Sequence, residues 1–125
     1  MGKYFYTLIV GFLFLGCIQK QPIISQSATI VFKTPLMKFY DKGFVTQYDD
    51  YIQLQIYNAG AIVLDLKMYK DEVCRGMLQC MSNKEFNKIY LNKNYDENFM
   101  FTLFKKDKIN FRDKENNILI KVRKD

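Results

Sequence analysis

Three cysteines and no histidine set the chemistry open to this 125-residue chain. Histidine is the commonest general base and the usual partner of a serine or cysteine nucleophile, so its absence removes the standard hydrolytic arrangements. Cys74 and Cys80 lie six positions apart, with Gly76 between them. That is not the C-x-x-C spacing of thiol oxidoreductases, and two thiolates without an imidazole make a poor zinc site. On an unbroken helix the two side chains would point to different faces, so a disulfide requires a turn, which Gly76 can supply. The expected use of the pair is a structural disulfide worth about 2 kcal/mol, with buried free thiols and redox or metal chemistry as the alternatives.

The carboxylates offer little more. Asp49 and Asp50, with Asp41 nearby, have the composition of a calcium or glycosidase site. Paired carboxylates for glycoside cleavage must face one another across a cleft, whereas neighbours on a strand point to opposite faces. Solvation of a turn is the simpler role. Gly43, Gly60 and Gly76 are isolated and fit turns, not a phosphate-binding loop. No catalytic residue, metal or non-covalent cofactor is expected.

Cys17 stands in a different context. Lys3 precedes an apolar run over residues 4–15, which ends in Leu15-Gly16-Cys17 before polar Gln19-Lys20-Gln21. A charged start, a short apolar stretch and a small residue at the cut are the marks of an export signal. With Cys after the small residue, the segment resembles the lipobox of bacterial lipoproteins, with Phe14 where the usual pattern has Leu. The resemblance covers residues 1–20. It implies cleavage before Cys17, a covalent lipid on that residue, and a place in the cell envelope. Ile18, in the position where Asp retains such proteins at the inner membrane, implies the outer membrane of a Gram-negative bacterium. The alternatives are ordinary signal cleavage with a free Cys17, or an uncleaved anchor. A spanning helix needs about 20 apolar residues, and residues 4–18 fall short, with two glycines and Thr7 among them. With Cys17 assigned to a lipid, Cys74 and Cys80 are left for each other, as an oxidising compartment favours.

Residues 1–16 are thus read as the signal, 17–27 as the acylated Cys and a polar linker, and 28–125 as one small domain; a second core would not fit. Hydrophobic residues make up 49% of the chain and aromatic residues 16%, which excludes a disordered polymer. The formal net charge of +6 first reads as lysines that keep a small aromatic-rich domain soluble, and as the alternative favours anionic surfaces. In an exported protein those are lipid head groups or wall polymers, and no nucleic-acid partner is expected.

The elements that must position these groups are mostly strands. Thr29 begins a β-branched and aromatic segment that stops at Thr34-Pro35. Strands at residues 36–40 and 44–48 flank Asp41-Lys42-Gly43, which reads as a three-residue hairpin loop. Ile52, Leu54 and Ile56 alternate with Tyr51, Gln53, Gln55 and Tyr57, and after Asn58-Ala59-Gly60 the same face resumes with Ile62, Leu64, Leu66 and Met68. Ser82-Asn83-Lys84-Glu85 has the form of a capping box opening a helix with Phe86, Ile89 and Tyr90. Asp96 is placed to cap a second short helix carrying Phe99, Met100, Leu103 and Phe104. Lys105, Lys106 and Lys108 near its end suit the helix dipole. Residues 108–112 and 117–123 form a closing hairpin whose Lys and Arg face is wet and guards an edge strand.

The fold class expected is α+β and mainly β: an antiparallel sheet or small sandwich with two short helices to one side, with an immunoglobulin-like sandwich as the alternative. Two functions fit such a domain. The first is a non-enzymatic interaction or structural domain held at the membrane, binding an envelope protein, with Tyr51, Tyr57 and Tyr69 as the candidate partner surface. The second is a carrier or chaperone for lipid or another apolar ligand, suggested by eleven Phe, nine Tyr and six Met. A sheet that fills its own core leaves little room for a ligand pocket.

Overall fold

A computed structural model describes residues 22–125; the stretch read as a signal, Cys17 and the first residues of the stretch read as a linker lie outside the described residues. Six strands run as an antiparallel meander: β1 (Ile24–Lys33), β2 (Lys38–Gln47), β3 (Ile52–Asn58), β4 (Ala61–Met68), β5 (Glu72–Arg75) and β6 (Gln79–Ser82). The chain then passes through helices α1 (Asn83–Tyr90) and α2 (Phe99–Phe104). It returns as the hairpin β7 (Ile109–Asp113) and β8 (Ile118–Lys124). β8 pairs with β1, so the eight strands form one sheet in the order β6-β5-β4-β3-β2-β1-β8-β7. The α+β, mainly β class holds, and the sandwich alternatives do not: a single sheet is covered on one face by helices.

Period-two alternation decides which face is covered. Ala28, Ile30 and Phe32 of β1 are buried together with Leu54 and Ile56 of β3, Leu64 and Leu66 of β4, and Ile118 and Ile120 of β8. Phe86, Met100, Leu103 and Phe104 from the helices close over them into one cluster. Burying one such side chain stabilises the fold by about 1.5–3 kcal/mol. Short helices of this length are marginal alone, so the sheet holds them.

Ser82 caps α1 as its sequence predicts, its Oγ accepting from the Glu85 backbone N–H at 3.2 Å. Asp96 acts differently from expectation: its backbone carbonyl, not its side chain, accepts from Phe99 N–H at 3.0 Å and from Asn87 Nδ2 at 2.8 Å. Asn98 occupies the N-cap of α2 without a side-chain bond.

Other sequence expectations are corrected as well. Asp41-Lys42-Gly43 is not a loop; it lies within the ten-residue β2, and the reversal occurs at Thr34-Pro35-Leu36-Met37. There Thr34 N–H donates to Met37 O at 2.7 Å and Thr34 Oγ1 accepts from Met37 N–H at 3.1 Å. Pro35 sits where its fixed φ suits a turn. Gly43 serves close approach instead: a Cβ there would stand 2.0 Å from the Gln55 carbonyl oxygen and 2.7 Å from Ile30 Cδ1. Second, β1 begins at Ile24, inside the stretch read as linker. Third, the segment around the cysteines is a hairpin, β5–β6, that the alternation did not reveal. Fourth, the charged face of β8 guards no edge, because β8 lies between β1 and β7.

The β3–β4 reversal is tighter than the predicted three-residue loop. Asn58 pairs with Ala61, leaving Ala59 and Gly60 as the two central residues, with φ of 50° and 82°. Positive φ at both positions is what a two-residue hairpin with right-handed strand twist requires. The meander puts the start of β1 and the β2–β3 and β4–β5 turns at one end of the sheet. The β1–β2, β3–β4, β5–β6 and β7–β8 turns lie at the other.

Candidate functional site

The β5–β6 hairpin is the most distinctive surface among the described residues. Cys74 and Cys80 are direct partners in its ladder and form a disulfide. Gly76, with φ of 65°, supplies the turn, and its N–H donates to the Asp65 carbonyl of β4 at 2.9 Å. Beyond this clamp Met77 and Leu78 are 93% and 94% exposed. The base of the hairpin is fixed as firmly: Asn83, buried at the start of α1, donates from its side chain to the Lys70 carbonyl and from its backbone to Asp71 O. The chain thus holds two large apolar side chains out in water on a rigid mount. Sequence reasoning found the cysteines but not this pair; the signal was an apolar dipeptide directly after a turn glycine inside a closed loop.

The Glu72 carboxylate lies within 4.8 Å of both cysteine sulfurs, the one three-member cluster of potential metal ligands among the described residues. With the sulfurs bonded to each other no thiolate is free to ligate. The disulfide reading therefore displaces metal chemistry here.

The three tyrosines expected to share a surface are divided. Tyr51 and Tyr69 meet with ring centroids 5.1 Å apart, and Tyr48 stacks on Tyr51 at 4.5 Å. The Lys67 ammonium lies 5.7 Å from the Tyr51 ring centre. This ladder covers the sheet end where β1 begins. Tyr57 belongs to the opposite end, edge-on to Phe44 at 5.8 Å. All three are half-buried against neighbours on the outer sheet face, so they form two small aromatic contacts and not one patch.

The acids also separate. Asp49 and Asp50 are exposed in the β2–β3 turn, closed by Tyr48 N–H donating to Tyr51 O at 2.9 Å. Asp41 lies further along β2, its Oδ2 accepting from Asn58 Nδ2 at 2.9 Å. These carboxylates do not face one another across a cleft.

One polar network was not foreseen. Tyr95, in the α1–α2 connection, donates its hydroxyl to Asp113 Oδ2, which also accepts from Asn116 Nδ2 at 2.7 Å. Asn92 Nδ2 in turn donates to Asn116 Oδ1 at 2.8 Å. Burial first, then the hydrogen bond to Asp113 and after it the Asp113 charge, pushes the Tyr95 phenol above its ordinary range. The Asn116 amide first, then the Tyr95 hydroxyl, holds the Asp113 carboxyl below its ordinary value. The Tyr95 ring packs against Phe99 and Phe111 at 4.7 and 5.7 Å. The network joins the helical connection to the β7–β8 hairpin.

Compared with known proteins, the chain matches no family model, no curated sequence and no solved structure. Among the described residues no helix is long and apolar enough to cross a membrane.

Proposed function

We propose that the chain is a small exported lipoprotein, anchored through an acylated Cys17, whose domain binds an envelope protein without catalysing a reaction. The observation that carries the binding part is the disulfide-clamped hairpin with Met77 and Leu78 almost wholly in water. A backbone held by a disulfide has little freedom left to lose on docking, so the cost is confined to the two side chains, about 0.5–1.5 kcal/mol each, against the apolar area they bury. A disulfide supports the exported part, since such bonds persist in oxidising compartments. Gly16-Cys17 behind the apolar run supports the anchor.

An apolar-ligand carrier receives no support from the core. Phe32, Phe86 and Phe104 fill the space between sheet and helices, where a carrier would keep a cavity.

Photo-crosslinking in the native cell tests the partner, with the reactive residue at position 77 and, as a control, at exposed position 88 on α1. The expected result is one reproducible protein adduct from position 77 and none from 88. Equal or absent labelling at both defeats the partner reading. Mass spectrometry of the mature N-terminus tests the anchor separately: an unmodified Cys17 or a retained Met1 overturns it.

A further inference from the structure

The strand order gathers basic residues that are scattered along the chain. β2, β1, β8 and β7 are neighbours, and their outward positions follow from the buried ones. Lys33 of β1 pairs with Lys38 of β2 on one side and Leu119 of β8 on the other, and Leu119 pairs with Arg112 of β7. One row across four strands therefore reads Lys38, Lys33, Leu119, Arg112. The next row is Tyr40, Val31, Lys121, Asn110, and the third holds Lys42, Thr29 and Arg123. At about 4.8 Å between strands the first row is roughly 14 Å wide.

No acidic residue occupies an outward position of these four strands. Asp125, at the end of β8, pairs with Lys42 at 2.9 Å, and its carboxyl is held low by Lys42 first and also by Arg123. Lys33, Lys38, Lys121 and Arg112 are left as a basic field. Lys33, Lys38, Arg112 and Lys114 line an open depression of about 700 Å³. Asp113, its one acid, is already engaged by Tyr95 and Asn116. Like charges directly opposite on paired strands, as at Lys33 and Lys38, oppose the fold, and an anion over them removes that opposition.

We infer that this face docks on an anionic lipid surface, with Lys33, Lys38, Lys121 and Arg112 over the head-group phosphates. The inference rests on the Cys17 anchor proposed above. Five residues lead from Cys17 to Pro22, an extended reach of about 17 Å, and they enter β1, an inner strand of the basic face. The chain enters β1 at Ile24, about 30 Å along the strand from Lys33, so the tether keeps the domain near the bilayer and charge complementarity selects the face that lies on it. The hairpin tip is carried elsewhere: β5 is four strand steps from β1, and a sheet twist of about 20–25° per step turns it by roughly 80–100°. Met77 and Leu78 thus stay open to a protein while the basic face lies down.

The test uses the full acylated chain in vesicles of phosphatidylcholine alone or with phosphatidylglycerol, and reads lysine acetylation rates by peptide mass spectrometry. Lys33, Lys38 and Lys121 should react about threefold or more slowly on the anionic vesicles, and recover in about 1 M salt, where screening is nearly complete. Lys84 and Lys88 on α1 should be unchanged. Equal rates on the two vesicles, with the protein bound to both, overturn the docking face and leave the anchor standing. A chain that leaves neutral vesicles but is held on anionic ones with the same lysines protected removes the anchor and upholds the face. Release from both overturns both.

Discussion

Cys74 faces Cys80 across the β5–β6 ladder, and the disulfide between them closes directly behind Met77 and Leu78. The four-residue edge strand β6 has one ladder neighbour, so the covalent link replaces the pairing a second neighbour would give. Replacing both cysteines by serine should cost about 2 kcal/mol by loss of the closed loop in the unfolded chain. Amide exchange is expected to rise first across residues 72–82, while β1 and β8 keep their protection. Uniform loss across the whole sheet would contradict a local clamp.

The hairpin tip should matter to binding and not to folding. A Met77→Ser, Leu78→Ser double variant is expected within about 0.5 kcal/mol of the parent in denaturant unfolding, as for other surface changes. Crosslinking to the partner should fall away. A strongly destabilised variant would show that the tip supports the fold and is not a free contact surface.

Gly43 and Gly60 should respond differently to alanine. At Gly43 the new methyl meets the Gln55 carbonyl oxygen at 2.0 Å, so β2 and β3 must separate, a change in the class of about 4 kcal/mol or more. At Gly60 nothing lies within 4 Å, and only the left-handed backbone resists, at about 1–2 kcal/mol. Chemical denaturation of the two variants ranks these costs.

Ala59 occupies a left-handed position beside Gly60 without the side chain that tolerates it. Ala59→Asn creates the Asn-Gly pair favoured in two-residue hairpins and should raise stability by about 0.5–1 kcal/mol. A fall in the unfolding midpoint would contradict the turn geometry.

The Tyr95–Asp113 bond predicts two pH limbs. Asp113 is depressed below its ordinary 3.8, so its contribution is present above that pH and lost as pH falls through the lower folded value. Tyr95 is raised above its ordinary 10.0, so its contribution is present below that pH and lost as pH rises through the higher folded value. Tyr95→Phe should abolish the alkaline limb and shrink the acid one, leaving the part due to Asn116. Stability curves for both proteins between acid and alkaline pH check this.

Local patterns in the chain were enough to determine much of the fold. The alternation of residues 51–57 and 64–68 defined β3 and β4, although Ile62, read with the buried face, is half exposed beyond a register shift; Ser82 announced α1, and the final hairpin was legible from Ile118, Ile120 and Val122, because each signal depends on neighbours a few residues away. The cysteine pairing was legible for the same reason. Tertiary structure decided the rest. Asp41-Lys42-Gly43 has the composition of a turn, but Gly43 is glycine because Gln55 and Ile30 crowd it, and neither is near it in sequence. Tyr51 and Tyr69 meet because the β3–β4 register brings their strand ends together, whereas Tyr57 lies at the far end of β3 on the same outer face. The basic field was invisible for the most general reason: Lys38, Lys33, Lys121 and Arg112 become neighbours only when β8 returns to pair with β1. Net charge is a property of composition, but the face on which it collects is a property of strand order.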